Sequence, residues 1–517
     1  MIASSADIAA DTLSTYVCVI GSGPAGTIVA TDLVEAGHAV LVLEAGPAEA
    51  GQSAAKSIGS LDTSDTADLP FGGVRQLGGS TNLWAGRMAP LEPIDFAKKS
   101  WVPGSGWPIS QDELAAHYEQ AFSLLGVTGE RPAIEAPEHP AGVGAALADG
   151  QLDTKSFFWA PNPFKASEHL HGAVTRSRKL RIVLDAPVAE LREAEDCRKI
   201  KYAVVVRPDG STLKIGAEYF VLAAGGIETP RILLSSNYMR SGGIGNDFDV
   251  VGRYFSTHPK ADLASLALTR PVKLDHPLFT DRKFGELSVR AGLGFNALTQ
   301  KERALLNHYI QLSPLFEYRA ARLFEKIKGS AAVNSPLVDR NALLRGVLPR
   351  LGLVAFETVS RLSGLQPRAA TFVLRGFLDQ YPNPNNRVTL SKVRDSRGIS
   401  KADISWRFTE DDRSSVLQFL KALDVVARRH NIGWVSYRNL ASTNEWPITG
   451  IHSHFMGTTR MGSGPKHSVV DANCRVHGSD NLFIAGPSVF TTYGYANPVL
   501  TIVALSLRLA EHLRSKL

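Results

Sequence analysis

Cysteine is scarce in this sequence. The 517 residues include three cysteines, Cys18, Cys197 and Cys474, which lie far apart along the chain. The number is odd and no C-x-x-C pair occurs, whereas disulfide frameworks, thiolate zinc sites, iron–sulfur clusters and attached haem all require closer spacings. We therefore expect none of these sites, and we expect the protein in a reducing compartment, the cytoplasm.

Long apolar runs and strong charge are also missing. No run of about 18 apolar residues occurs that would predict a membrane-spanning helix, and the N-terminus lacks the basic start and apolar core of a secretory signal. The net charge is +6, but no lysine-rich arm or stacking motif accompanies it, so we predict no nucleic-acid partner. An anionic cofactor or substrate suits this sign. Disorder is expected only in the first dozen residues.

The glycine-rich segment YVCVIGSGPAG, residues 16–26, predicts a nucleotide-binding turn. Tyr16–Ile20 is a short β-branched run typical of a buried strand, and a helical pattern follows. Gly21 permits the tight turn, Gly23 lets the backbone approach a pyrophosphate, and Gly26 lets the helix pack close to the strand. The helix would direct its N-terminal amides at the phosphates.

A second strand, AVLVLEAG, follows this helix and ends on Glu44. Strand, G-x-G-x-x-G, helix, strand and terminal acid thus occur in order within about 30 residues, which is the arrangement of dinucleotide-binding domains. Glu44 would accept hydrogen bonds from an adenosine ribose. The alternative is a glycine turn with an incidental acid, and the motif does not separate FAD from NAD.

Three further segments are rich in glycine or contain a strand that ends in glycine. Residues 71–87 are too rich in glycine for a regular element. Residues 218–236 predict a strand, two glycines, and a helix with Pro230 in its first turn. Residues 481–490 predict a strand that ends in glycine and leads to an apolar C-terminal helix. These repeated strand–glycine–helix patterns predict one nucleotide-binding domain that is assembled from distant segments.

The residues between these blocks predict a second domain. Residues 99–175 are rich in proline and aromatic residues, and residues 379–387 form a predicted turn with the alternating strands VTLSKV and ADISWRF beside it. A helix is predicted to begin near Thr409, with acids in its first turn. The arginine-rich segment 319–375 is partly amphipathic, and we expect a solvated helical insertion or a subunit contact rather than membrane docking.

The motifs IGSGPAG…LEAG, GGSTNLW, HFMGTTRMG and VVDANCRVHGSDNLFIAGPSVF…ANPVLT together resemble those of the glucose–methanol–choline (GMC) family of FAD oxidoreductases. They occur in the family's order at both ends of the chain, and the closing segment is most similar to the pyranose 2-oxidase and sugar-dehydrogenase branch. The resemblance implies an α/β fold, with a Rossmann-like FAD-binding domain of glucose-oxidase type built from discontinuous segments. A substrate domain of antiparallel sheet plus helices, of α+β type, would lie beside it.

The same resemblance implies domain boundaries and cofactor contacts. Residues 13–98, 181–260 and 446–517 would form the FAD-binding domain, and residues 99–180 and 261–445 the substrate domain. Several relatives bind FAD covalently through a histidine in the glycine-rich loop, which here carries Asn82 and Leu83 and no histidine, so we expect non-covalent FAD. The implied FAD contacts are Gly21, Ser22, Gly23, Pro24, Ala25, Gly26, Glu44, Ala45, Gly78, Gly79, Ser80, Asn82, Leu83, Val188, Ala224, Gly225, Gly486 and Pro498.

Two histidines in the segment HSHFMGTTRMG, residues 452–462, are candidates for the chemistry. This spacing alone is compatible with a metal site, with two buried polar groups, or with a catalytic base and a bystander. The family keeps its histidine three residues before a G-T pair, which selects His454, so His452 would support it or pack nearby. The family's second catalytic position, histidine or asparagine before the last helix, corresponds to Asn497. No third ligand lies at a suitable spacing in this segment, so we expect no metal.

The resemblance implies oxidation of a secondary alcohol of a sugar or glycoside to a ketone. The flavin N5 would accept the hydride, His454 the hydroxyl proton, and Asn497 would donate a hydrogen bond to the substrate oxygen. The alternatives are a redox-neutral lyase that keeps FAD, oxidation of a non-sugar alcohol, and a flavin protein without turnover that feeds electrons to a partner. The electron acceptor, whether oxygen, a quinone or a separate redox protein, and the formation of a homo-oligomer stay open.

Overall fold

In the part of the chain that the structure describes, three β-sheets form the framework. A computed structural model describes residues 1–49, 60–62, 74–134, 150–315, 368–437, 440, 446, 448–451 and 453–517. The strands in chain order are β1 (Ile2–Ser4), β2 (Thr12–Ile20), β3 (Val40–Leu43), β4 (Ser60–Asp62), β5 (Leu152–Trp159), β6 (Leu180–Leu184), β7 (Val188–Glu193), β8 (Ile200–Val206), β9 (Thr212–Leu222), β10 (Pro259–Lys273), β11 (Arg282–Phe284), β12 (Leu287–Phe295), β13 (Tyr309–Pro314), β14 (Arg368–Phe377), β15 (Arg387–Arg394), β16 (Ser400–Ser405), β17 (Gly433–Ser436), β18 (Ile448–Ile451) and β19 (Leu482–Ile484).

Helices cover the sheets. They are α1 (Pro24–Glu35), α2 (Pro93–Phe96), α3 (Ala115–Leu124), α4 (Ala166–Arg176), α5 (Gly225–Ser235), α6 (Ala297–Arg303), α7 (Glu410–Arg429) and α8 (Val499–Arg514). Short 3₁₀ turns occupy Ser5–Asp7, Gly79–Asn82, Asp112–Leu114 and Pro487–Val489. Among the helices that the structure describes, none has the length and apolar character needed to cross a bilayer.

The first sheet carries the predicted nucleotide-binding motifs. Its order is β1-β6-β3-β2-β9-β8-β7, with β19 alongside β9. The strands β6, β3, β2, β9 and β19 are parallel, and their buried valines, leucines and isoleucines suit a sheet covered on both faces. Ile20 and Ile484 both pair with Leu222. The carboxyl ends of β2, β9 and β19 therefore meet at one edge, where the glycine-containing loops follow.

The second sheet is antiparallel. Its order is β11-β12-β13-β14-β10-β17, with β5 paired to β12 and β18 to β10. Residues of α7 and the sheet share one hydrophobic core, in which the rings of Phe295 and Phe419 lie 4.8 Å apart. Thr409 caps α7, since its hydroxyl accepts from the Asp412 amide at 3.2 Å while the Asp412 carboxylate accepts from the Thr409 amide at 2.8 Å. The predicted start of this helix is confirmed.

The third sheet is the antiparallel hairpin β15–β16, extended by β4, which pairs in parallel with β16. The two alternating strands predicted around residues 387–405 are confirmed. The hairpin packs on helix α5, which follows β9 of the first sheet. The α/β fold with a second, sheet-rich domain is thus confirmed, while the domain boundaries stay predictions.

Two sequence-based expectations are wrong. The first dozen residues are ordered, because β1 adds to the edge of the first sheet in register with β6. Residues 319–367 of the expected helical insertion lie outside the described residues, but residues 368–375 belong to β14, which pairs with β10 and β13. The burial of Phe372 and Leu374 follows the two-residue period of a strand, while Arg368 is exposed at the first residue of β14 and Arg375 lies on the opposite face.

The position of Pro230 is a third correction. Helix α5 begins at Gly225 itself, so Pro230 lies inside the helix and not in its first turn. Proline has no N–H to donate to the carbonyl four residues earlier, which belongs to Gly226. The hydroxyl of Thr458 donates to that carbonyl instead, at 2.7 Å. A residue from the far end of the chain thereby completes this helix.

Candidate active site

Two glycines of the first motif are required by protein contacts. Gly21 has a φ of +107°, and a Cβ at this position would lie 2.5 Å from the Ala223 carbonyl oxygen. A Cβ on Gly26 would overlap the carbonyl oxygen of Gly21. Strand β2, helix α1 and the end of β9 thus approach one another at distances that only glycine allows.

The third glycine of the motif borders an open volume. A Cβ on Gly23 would meet no atom of the described chain within 4 Å, and the same holds for Gly225 at the start of α5. Gly79 lies against Gly23, with its Cβ position 3.2 Å from the Gly23 Cα, and Gly486 lies against Ala25. These residues form a cradle with little side chain at the N-terminus of α1, which fits the pyrophosphate of FAD.

Glu44 lies beside this cradle, at the end of β3. Its carboxylate accepts from the Ser22 amide at 3.2 Å, the Ser22 hydroxyl at 2.5 Å and the Gly46 amide at 2.9 Å. Burial raises the pKa of Glu44, and these hydrogen bonds and the charge of Arg75 oppose the shift. A carboxylate has about four acceptor positions. Three are used within the protein, so one fits a ribose hydroxyl of FAD.

Replacing Glu44 with alanine should weaken FAD binding roughly 10- to 150-fold, the equivalent of one hydrogen bond to a charged acceptor at roughly 1.5–3 kcal/mol. It should also lower the stability of the apoprotein, because the amides of Ser22 and Gly46 lose their acceptor. Titration of apoprotein with FAD and a urea melt measure the two effects. Glu49→Ala removes an exposed acid of the same segment and should change neither. Unaltered FAD affinity in Glu44→Ala would exclude the ribose contact.

The second glycine loop closes on the first. The Gly78 amide donates to the Ser22 hydroxyl at 3.0 Å. Asn82 shapes this loop, because its side-chain amide donates to the Leu77 carbonyl at 2.9 Å and the Gly79 carbonyl at 3.0 Å. Ser80 and Leu83 are exposed on the same turn. The loop therefore offers FAD its backbone and two exposed side chains, while Asn82 is held within the protein.

The remaining predicted contacts come from five different segments. Pro24 is the first residue of α1, Ala45 is half-buried directly after Glu44, and Ala224 precedes α5. The carbonyl of Val188 already accepts a hydrogen bond from Arg231 at 2.7 Å. Pro498 precedes the closing helix α8.

FAD should be released intact by acid precipitation. The glycine-rich loop between residues 78 and 87 contains no histidine, tyrosine or cysteine, so it offers no side chain of the kind that bonds covalently to the flavin. The yellow chromophore is expected in the supernatant after trichloroacetic acid treatment. Colour retained in the protein pellet would contradict non-covalent binding.

His454 is half-buried and lies three residues beyond the end of β18. Its Nδ1 lies 3.0 Å from Nδ1 of His258, and the two rings are almost perpendicular at 85°. The next residues bring this histidine to the FAD cradle. A Cβ on Gly226 would overlap the Phe455 carbonyl, and the Gly457 amide donates to the Pro487 carbonyl at 3.1 Å.

Asn497 lies just before α8. Its Nδ2 donates to the Arg87 carbonyl at 3.0 Å, which fixes the orientation of the amide, and its buried Oδ1 accepts no hydrogen bond from any described residue. Tyr493, four residues earlier, packs its hydroxyl against Gly457. The segment that carries Asn497 thus contacts the segment that carries His454. The Oδ1 atom and the second Nδ2–H of Asn497 are left to form other hydrogen bonds.

A polar cluster that the sequence did not indicate supports this segment. Tyr495 donates to Glu92 at 3.3 Å, the buried Lys155 binds Glu92 and the Asn307 oxygen, and the Asn307 nitrogen donates to Asp95 at 3.0 Å. Burial raises the pKa of Asp95. The residues come from four distant segments, so no local motif could have revealed them.

The structure leaves two sequence-based questions as they were. His452 lies outside the described residues, so its role stays a prediction. Within the residues that the structure does describe, no three histidine, cysteine or acidic side chains converge as ligands for a metal ion.

Two family models match the chain. One, described as FAD dependent oxidoreductase, covers residues 16–291, which is more than half of the sequence. The other, described as GMC oxidoreductase, covers residues 382–506. The first match contains Glu44 and the cradle residues Gly23, Gly79 and Gly225, and the second contains Gly486, His454 and Asn497.

Known proteins are similar to the chain over nearly its whole length. The fructose dehydrogenase large subunit of Gluconobacter japonicus is 24% identical over 97% of this chain and 98% of its own. The 2-methyl-1,2-propanediol dehydrogenase of Mycolicibacterium austroafricanum is 25% identical over 96% and 95%. The crystal structure of pyridoxine 4-oxidase from Mesorbium loti shares the fold, with a TM-score of 0.61, 18% identity and coverage of 96% and 99%. The chain is therefore an FAD-dependent oxidoreductase and belongs to the GMC family.

Proposed function

We propose that the protein oxidises a secondary alcohol of a sugar or glycoside to the corresponding ketone. One observation carries the proposal: the segment that bears His454 is anchored next to the FAD cradle, through the contact of Phe455 with Gly226 and the bond from Thr458 to the Gly226 carbonyl. Bound FAD supplies the hydride acceptor of the reaction. The chain itself must then bind the alcohol, orient it and accept its hydroxyl proton.

His454 serves as the proton acceptor. Removing hydride from the carbinol carbon requires the hydroxyl proton to leave, and a neutral imidazole near ambient pH is suited to take it. The Nδ1 of His454 is engaged with His258, so the proton goes to Nε2. The substrate oxygen must therefore lie within hydrogen-bond reach of Nε2.

Asn497 orients the same oxygen. Its amide is fixed by the Arg87 carbonyl, and the second N–H can donate to the substrate oxygen and stabilise developing alkoxide charge. The buried Oδ1 can accept from a neighbouring hydroxyl, which suits a substrate with adjacent alcohol groups. An amide does not titrate, so Asn497 orients and does not accept the proton.

The names of the relatives support an alcohol substrate and favour two classes. Fructose dehydrogenase favours a sugar. The propanediol dehydrogenase favours a small non-sugar diol as the second candidate. We further propose a cytoplasmic location and assembly into a homo-oligomer, with oxygen, a quinone or a separate redox protein as the electron acceptor.

An anaerobic substrate panel tests the proposal. D-Fructose, D-glucose, methyl β-D-glucopyranoside, an aryl C-glucoside and 2-methyl-1,2-propanediol are mixed with holoenzyme while the flavin absorbance is followed. Bleaching by a sugar or glycoside supports the first candidate, and bleaching by the diol alone supports the second. A flavin that stays oxidised with every compound, while a cyanohydrin is cleaved, would instead establish the redox-neutral lyase. Admitting oxygen afterwards measures whether it reoxidises the flavin.

A further inference from the structure

His258 and His454 face each other across two paired backbone segments. Ser256 and Met456 exchange both backbone hydrogen bonds, at 3.1 and 2.9 Å. In an antiparallel pair, the residues two positions further along lie opposite each other on the same face. Those residues are the two histidines, and their Nδ1 atoms are 3.0 Å apart. The Ser256–Met456 bridge therefore brings the two histidines to the same side of the paired segments, just before the register shifts by two residues to Pro259 opposite Ile451.

A hydrogen bond between two Nδ1 atoms restricts the tautomers of both rings. One Nδ1 must carry the proton and the other must offer its lone pair. A His454 that accepts a proton at Nε2 needs its resting proton on Nδ1. His258 must then be the acceptor, with its own proton on Nε2.

We propose that His258 is a positioning residue for the proton acceptor. It accepts the Nδ1–H of His454, selects the tautomer whose Nε2 takes the substrate proton, and stabilises the imidazolium that results, because a charge-assisted hydrogen bond is stronger than a neutral one. This inference rests on the proposed role of His454. His258 does not touch the substrate, and its ring is completely buried.

A neutral partner makes the pair sensitive to pH in a defined direction. When the pair takes up one proton, either His454 is already an imidazolium or His258 donates to His454 and holds it in the wrong tautomer. Both forms are inactive, so the rate rises with pH through one apparent pKa of the pair. A variant without the His258 imidazole no longer stabilises the His454 imidazolium. The rise of its rate with pH should therefore occur at lower pH than in the wild type.

Other titratable groups lie near enough to require a control. The Ser256 hydroxyl donates to the Gln380 oxygen at 3.2 Å, and Gln380 lies between two buried acids. Burial raises the pKa of Asp379 to about 7 and that of Asp412 to about 6. Among the described residues, the charged and titratable groups near the pair include Asp379 and Asp412, Lys99 beside Asp379, Tyr493 beside Gly457, and Arg460 beside Tyr493. Asp379→Asn shows which part of the profile is due to the nearest acid.

Three substitutions of His258 separate positioning from packing. The amide of asparagine overlaps the place of Nδ1, that of glutamine overlaps the place of Nε2, and leucine fills the space without an acceptor. With the fastest-reducing member of the substrate panel, His258→Leu and His258→Gln should slow flavin reduction roughly 10- to 100-fold at little change in substrate Kd. His258→Asn should recover most of the lost rate. FAD content and the thermal midpoint of each variant report whether the fold is intact.

A spectroscopic measurement needs no substrate. In holoenzyme labelled with ¹⁵N-histidine, the signals of His454 are assigned by their loss in His454→Gln, and their shifts report which nitrogen carries the proton. Protonated Nδ1 in the wild type, with mixed tautomers in His258→Leu, supports the proposal. A proton on Nε2 of His454, or equal rate losses in all three His258 variants, would overturn it. A panel that never bleaches the flavin would refute the proposed function instead, and the tautomer result would still stand.

Discussion

Replacing His454 with alanine is expected to slow reduction of the flavin by substrate roughly 10²- to 10⁴-fold, the usual contribution of general-base catalysis. The variant should keep its FAD, because the cradle is built from glycine backbone in which the His454 side chain takes no part. Anaerobic stopped-flow reduction measures the rate constant. In the wild type this rate should rise with pH through a pKa within a unit or two of about 6.5, and the variant should lose that limb.

Two further variants make the assignment specific. Asn497→Ala should reduce the rate less than His454→Ala, because it removes orientation and a hydrogen bond but leaves the base. His452→Ala should have the mildest effect on the chemistry. If His452→Ala were the slowest of the three, or if loss of His454 left the rate intact, the assignment of the base would be wrong.

The second large effect concerns two glycines three residues apart. Gly23→Ala should leave the apoprotein as stable as the wild type, since its φ of −64° suits alanine and its Cβ would enter open space. That space is where the pyrophosphate fits, so FAD affinity should fall roughly 5- to 150-fold, from about 1–3 kcal/mol of steric overlap. Gly26→Ala should instead lower the stability of the apoprotein, because its Cβ would overlap the Gly21 carbonyl.

Urea melts of both apoproteins and titrations with FAD separate these outcomes. A destabilised Gly23→Ala apoprotein with normal FAD affinity would show that the open volume is not the phosphate site. Gly37, which follows the C-terminal end of α1, has a φ of +95°, and its Cβ position lies 3.6 Å from Nζ of Lys179, an ordinary contact. Gly37→Ala therefore serves as a matched control, with backbone strain in the apoprotein and no effect on FAD affinity.

Local features of this protein were predictable from sequence. The roles of Gly21 and Gly26 depend on neighbours within a few residues and on one adjacent strand, so the spacing of the motif predicts them. The cap of α7 is likewise a contact between Thr409 and Asp412. Short-range geometry of this kind leaves a signature in residue order, and the structure reproduces it.

Contacts between distant segments were not predictable in the same way. His258 and His454 are 196 residues apart, and the sequence around His258 contains no spacing that marks it as a partner. The Gly226 carbonyl accepts from the Thr458 hydroxyl because Pro230 has no N–H to donate. This hydrogen bond joins residues 232 positions apart in the chain. The arginine-rich segment 319–375 suggested an amphipathic helix, although its last eight residues belong to β14, because a two-residue period is easily missed in a segment that contains many charged residues.

The parallel pairing of β19 with β9 also bears on how the protein is made. About 260 residues separate Leu222 from Leu482, and a ribosome adding roughly 5–20 residues per second needs on the order of 13–50 s to cover them. During that interval the emerging first half has an incomplete sheet edge beside β9 and a helix α5 whose Gly226 carbonyl awaits Thr458. The FAD site therefore cannot be finished until the last segment leaves the ribosome, so cofactor capture is a late event in biogenesis, and truncation near the C-terminus should produce apoprotein that chaperones retain.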